Sequence, residues 1–83
     1  MPTVAIVDGV SIVFYTNEHP PPHFHAKFAE HQAVIDLDSM RVTEGFLPVA
    51  KRRKVLAWAT ERRGALLAAF AVAVSREPVG PIE

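Results

Sequence analysis

The chain contains no cysteine. Disulfides and thiolate metal sites are therefore excluded, and the composition fits a reducing compartment. Long apolar runs are also lacking. The most apolar stretch, Ala65–Val74, falls well short of the roughly 20 residues that a membrane-spanning helix requires. The opening Met1-Pro2-Thr3-Val4 has neither the basic segment nor the apolar run of a secretory signal. A cytoplasmic location with no membrane contact is the expectation. Net charge is absent too, since nine basic and nine acidic side chains cancel. The balance is uneven along the chain. Residues 1–47 carry six acidic against two basic side chains, net −4, and residues 48–83 carry seven basic against three acidic, net +4. Such a split marks a binding face, or two halves that lie against each other, or a self-complementary pair.

With 83 residues the chain is expected to form a single domain over 1–83, with a modest core and marginal stability. Thr3–Val7 and Val10–Tyr15 are rich in Val, Ile and aromatic residues and flank Asp8-Gly9. That dipeptide favours the positive φ angles of a type I′ turn, so a β-hairpin is predicted. Pro20–Pro22 removes three amide donors and makes the following connector stiff. His23–Phe28 then alternates, with Phe24, Ala26 and Phe28 on one face and His23, His25 and Lys27 on the other. Gln32–Leu37 alternates likewise, which predicts a second hairpin across Ala29–His31. A two-residue loop sets His23 opposite Asp36, and a four-residue loop sets His25 opposite Asp36. Arg41–Glu44 reads as a short strand ended by Gly45.

From Pro48 the periodicity becomes helical, and two segments are predicted, about Val49–Arg62 and Ala65–Arg76, parted near Gly64. Trp58, Leu66 and Phe70 are expected to pack on the sheet, and residues 77–83 to be irregular. The expected fold is α+β: an antiparallel sheet of four to five strands over residues 1–47, then one or two C-terminal helices over 48–76.

The chemistry concentrates in Asn17–Lys27. On a strand, His23-Phe24-His25 points both imidazoles to one side, where His23 and His25 could hold a divalent metal. Further ligands would come from Glu18, His19, His31 or Asp36. No other cofactor is expected. The same residues also suit acid–base chemistry without a metal: His23 and His25 carry protons, Asp36 fixes a tautomer, and Lys27 stabilises developing negative charge. That set would suit cleavage of an RNA phosphodiester. A purely structural role, histidines bonded to neighbouring carboxylates, competes with both. Lys51-Arg52-Arg53-Lys54 opens the first helix, where the macrodipole disfavours cations. RNA, DNA or an acidic protein are the partners such a run would meet. A solvated face is the plainer reading of the same residues. Ala65–Val74, apolar nearly all round, implies a protein partner or self-association, hence a homo- or hetero-oligomer.

Several of these segments together resemble a bacterial family of small domains of unknown function. They are Met1-Pro2-Thr3-Val4, Gly9, the run Tyr15–Phe28, Ala33-Val34-Ile35-Asp36, Glu44-Gly45-Phe46-Leu47-Pro48 and Trp58-Ala59. The family hallmark, an acidic residue, a histidine and then Pro-Pro-His-Phe-His, falls here on Glu18, His19, Pro21, Pro22, His23 and His25. Glu18 stands where Asp is more usual, Asp38-Ser39-Met40 lacks the usual glycine, and alanine-rich Ala65–Val74 replaces a more charged helix. Members are commonly encoded beside a second small domain in an arrangement similar to a toxin–antitoxin pair. The resemblance implies a toxin-like component of a bacterial type II pair, neutralised by direct binding of a small antitoxin-like protein. The alternative is a non-catalytic module that binds protein or nucleic acid through the basic helix and the apolar C-terminal helix.

Overall fold

In a computed structural model of the chain, Asp8 and Gly9 take φ angles of 51° and 81° and join β1 (Thr3–Val7) to β2 (Val10–Val13). These are the positive angles of the predicted hairpin turn. The structure describes residues 3–83, so Met1 and Pro2 of the family-like opening lie outside the described residues. β2 ends at Val13 rather than at Tyr15. The reason is local: Phe14 turns into the core, and the Tyr15 amide donates to the Glu18 carboxylate at 3.1 Å instead of to a strand.

The connector that follows contains a cis Pro20–Pro21 peptide bond and delivers β3 (His23–Phe28) antiparallel to β2. Ala29 turns the chain with φ 52°, and β4 (His31–Asp36) returns. The register is the two-residue-loop alternative: His23 faces Asp36, Phe24 faces Ile35, and Ala26 faces Ala33. Phe28 thereby faces His31, and Leu37 falls just beyond the strand, its amide bonded to the Pro22 carbonyl at 3.0 Å. A turn at Asp36–Met40 leads to β5 (Arg41–Gly45) and completes a five-stranded antiparallel sheet of order β1-β2-β3-β4-β5. Met40 adopts φ 56° in that turn, a left-handed conformation held here by a side chain where glycine would be unstrained.

Two helices follow, α1 (Val49–Thr60) and α2 (Arg63–Val74). Pro48 occupies the N-cap position and α1 starts at Val49, where the sequence predicts the helix to begin. The break between the helices is at Glu61-Arg62, ahead of Gly64. Arg62 leaves the helical region at φ −125°, lays its guanidinium over the Trp58 ring, and donates to the carbonyls of Trp58 and Glu83. Gly64 thus lies inside the first turn of α2, and a Cβ there would meet nothing within 4 Å. Gly64→Ala is therefore expected to raise the free energy of unfolding by about 0.5–1 kcal/mol, measured by urea denaturation, through loss of unfolded-state freedom.

The core lies between the sheet and the helices. Val10, Ile12, Phe24, Ala26, Ala33 and Ile35 from the sheet meet Val55, Ala59, Leu66, Ala69, Phe70 and Ala73 from the helices. Trp58 is half-buried and packs at its margin. Residues 77–83 form no helix or strand, yet they close over the core. The Ile82 amide bonds to the Val4 carbonyl at 2.7 Å, with Val79 and Ile82 packed against the apolar cluster. No described helix is long and apolar enough to cross a membrane.

Candidate functional site

Strand alternation sends Phe24 and Ala26 of β3 into the core and leaves His23 and His25 on the opposite side, as the pattern requires. Hydrogen bonding to the Tyr15 amide folds the connector back over that side and brings Glu18 between the two imidazoles. Its Oε1 lies 3.0 Å from Nε2 of His23, and its Oε2 lies 2.8 Å from Nε2 of His25. The Glu18 side chain is only 7 % exposed, so this carboxylate is buried against its partners rather than solvated.

The two histidines are held differently. The Nδ1–H of His23 donates to the Pro21 carbonyl at 2.7 Å, which fixes the ring and turns Nε2 toward Glu18. The Pro21–Pro22 segment thus orients the His23 ring as well as stiffening the backbone. His25 packs edge-on against Tyr15, with ring centroids 4.6 Å apart, and against His23 at 5.2 Å. Its Nε2 is close to Glu18 but not aligned as a hydrogen bond, and it is a buried polar atom without a hydrogen-bond partner. Burial holds the His25 imidazole below the usual histidine pKa, with the neighbouring charges of His23 and Lys27 acting in the same direction and Glu18 opposing them. Phe70 of α2 closes the far side of His23 at a centroid distance of 5.4 Å.

Glu18, His23 and His25 line a cleft of about 420 Å³ together with His19, Pro21, Val34, Asp36, Thr43 and Glu44. Among the described residues three carboxylates and three imidazoles line it, and no Lys or Arg does.

Of the residues singled out in the sequence, the fold brings Glu18, His19, His23, His25 and Asp36 together around the cleft. Asp36 is across the strand from His23 as expected, yet its carboxylate accepts the Ser39 amide at 2.7 Å. That bond and the other donors of the Ser39 turn pull its pKa below the ordinary aspartate value. The carboxylate on the histidines is Glu18. Lys27 stands beyond Tyr15, its Nζ 5.2 Å from the ring centroid, outside the cleft lining. His31 stacks on Phe46 at 5.2 Å, also outside that lining. Lys51 ties α1 to the β1–β2 turn through the Asp8 carbonyl at 2.7 Å and carboxylate at 3.2 Å, while Arg52, Arg53 and Lys54 are exposed.

Sequence reasoning did not find Tyr15, Phe70, Thr43 or Glu44 as neighbours of the histidines. Parity was a usable signal for one side only: His25 pairs with Val34, and Val34 with Glu44, so the residues facing the histidines follow once β5 is placed.

Neither the curated proteins nor the solved structures compared with this chain include a match. A family model does match, over residues 9–71, a span that takes in the Glu18–His23–His25 cluster and all but the end of α2. The chain belongs to the family described as Domain of unknown function (DUF4160).

Proposed function

We propose that this chain is the toxin-like component of a bacterial two-protein pair, that it acts on RNA through Glu18, His23 and His25, and that a small cognate protein silences it by binding directly. The observation that carries this reading is the buried Glu18 carboxylate set between two strand imidazoles on the wall of an open cleft. A carboxylate withdrawn from water costs free energy unless it is fully partnered. Here one of its partners, Nε2 of His25, lies 2.8 Å away but is poorly aligned for a hydrogen bond. An incompletely bonded group beside an opening is poised to meet a ligand.

The partner has a surface to bind. Leu67 and Val74 of α2 are 39 % and 40 % exposed, and Ala68 and Ala71 are exposed between them. No charged side chain interrupts α2 between Arg63 and Val74. An apolar helix face of this kind suits a complementary apolar surface on a second small protein.

Induction of the chain in a bacterial host tests the reading, with wild type compared against a His23→Ala, His25→Ala variant at matched expression and RNA integrity followed in both. Growth arrest with RNA loss in the wild type, relieved in the variant, is expected. Absence of arrest, or equal arrest by both, would remove the histidine strand from the function. A specific observation favours one other reading. Arg52, Arg53 and Lys54 are exposed where α1 opens, with no acidic residue in its first turn, as a module that merely docks on an anionic partner would have them. Arrest unaffected by the histidine changes but lost on reversing those three charges would select it.

A further inference from the structure

An RNA phosphodiester entering this cleft would meet the carboxylates of Glu18, Asp36 and Glu44, with no Lys or Arg among the described lining residues. Like charges at close range in a partly closed cleft repel strongly. The same array attracts a cation.

We propose that Glu18, His23 and His25 bind one divalent transition-metal ion, each through a single atom: a carboxylate oxygen of Glu18 and Nε2 of each histidine. The proposal rests on the preceding reading only in taking this cluster as the functional site. The three ligand atoms lie within 4.8 Å of one another, and the carboxylate oxygens are already 3.0 and 2.8 Å from the two ring nitrogens. Ligands about 2.0–2.1 Å from a tetrahedral metal are separated by roughly 3.3 Å, so the widest of these separations would close by at most about 1.5 Å around the ion, within reach of side-chain rotation.

The arrangement has the second shell that metal-binding histidines use. His23 donates Nδ1–H to the Pro21 carbonyl, so in the neutral ring the lone pair is on Nε2, the atom that faces Glu18. Nε2 of His25 has no hydrogen-bond partner to give up. Phe70 and Tyr15 brace the two rings from either side. Three protein ligands would leave a tetrahedral ion one position for water or substrate, the pattern of a reactive rather than a closed structural site.

Two imidazoles and one carboxylate select zinc, manganese, iron or cobalt over calcium and magnesium, which prefer oxygen alone. A bound ion would supply the positive charge that the cleft lining lacks.

The test is metal binding by the full chain without an affinity tag, after removal of metal with a chelator. Zinc and manganese are titrated calorimetrically, and cobalt is titrated by visible absorption. One ion per chain is expected, with His25→Ala weakening zinc binding by about 100-fold or more, beyond the 10–100-fold typical of second-shell changes. Glu18→Gln should weaken it as well. His31→Ala, beside Phe46 and outside the cleft, should bind as the wild type does. Imidazole NMR signals of the wild type during a zinc titration give the same answer without any variant, since the rings of His23 and His25 should respond and that of His31 should not. Wild-type binding no tighter than about millimolar would overturn the proposal. Undiminished binding by His25→Ala would do so too, as would a response confined to other histidines. None of these readouts uses RNA, so failure here leaves the growth experiment to judge the broader reading.

Discussion

Replacing Glu18 by alanine is expected to lower the free energy of unfolding by about 2–3 kcal/mol, a large fraction of what a domain of this size possesses. Three groups converge on its carboxylate: the Tyr15 amide at 3.1 Å and Nε2 of His23 and His25 at 3.0 and 2.8 Å. A side chain 7 % exposed admits little water to replace them. Two of them, the Tyr15 amide and the His23 ring, lose a hydrogen-bond acceptor at about 1 kcal/mol or more each, and His25 loses a close electrostatic contact. The larger penalty known for broken buried ion pairs, about 3–5 kcal/mol, does not apply in full, because an imidazole left without its counter-charge can release its proton.

Glu18→Gln separates the carboxylate's charge from its shape. The amide oxygen can still accept from the Tyr15 N–H, and the amide N–H can donate to an unprotonated ring nitrogen. About half of the alanine loss is expected for Gln, on the same accounting of one retained and one altered contact. Urea denaturation with an unchanged m-value gives both numbers. A loss below about 0.5 kcal/mol for alanine, within the range of ordinary surface substitutions, would mean that Glu18 does not hold the connector to the sheet.

The strands were legible because each is a short alternating segment bounded by a turn signal. Asp8-Gly9 fixed one hairpin, and the parity of Phe24, Ala26, Ala33 and Ile35 fixed the pairing of β3 with β4. The helices were legible in number but not in their junction. Gly64 was the only local feature that suggested a break, yet the break occurs at Glu61-Arg62, where Arg62 finds partners in Trp58 and Glu83. Those partners are tertiary, and helix propensity carries no trace of them.

The site divides in the same way. His23 and His25 on one face follow from a period of two. The carboxylate that meets them does not, because Glu18 precedes β3 on a connector whose path depends on one bond to the Tyr15 amide and on a proline run. Asp36 had the better claim by register, being directly opposite His23. It loses the contact because the Ser39 amide, three residues on, is closer at hand and satisfies its carboxylate in the turn. Cross-strand logic ranks neighbours by register, whereas a short polar side chain bonds first to the backbone that follows it.

Gly45→Ala is expected to cost about 2–5 kcal/mol, the sum of a left-handed backbone strain of roughly 1–2 kcal/mol and an overpacking term of roughly 1–3 kcal/mol. Gly45 ends β5 at φ 77°, where an L side chain is strained. A Cβ added there would overlap the carbonyl oxygen of Gln32 and lie 3.0 Å from its carbonyl carbon and 3.1 Å from Cα of Ala33. Those atoms are backbone and cannot rotate aside. The pairing is also irregular here, with a register shift between Val34 and Ile35, and the Phe46 amide bonds to the same Gln32 carbonyl at 2.9 Å. Relief therefore requires β5 to move from β4, which carries Thr43 and Glu44 away from the histidines that line the same cleft.

Gly9→Ala is the matched control. Its φ is 81°, so the backbone strain is the same in kind, but the added Cβ would meet only the Phe28 ring at 3.7 Å and the Lys51 ammonium at 3.9 Å. A loss of about 1–2 kcal/mol is expected there, the strain alone. Denaturation of the two variants side by side isolates the overlap as the difference between them. Equal losses would mean that β5 yields without cost and that the acidic wall of the cleft is free to move. A larger loss at Gly45, together with a metal affinity below that of the Gly9 variant, would tie the position of that wall to the close approach of Gly45 and Gln32.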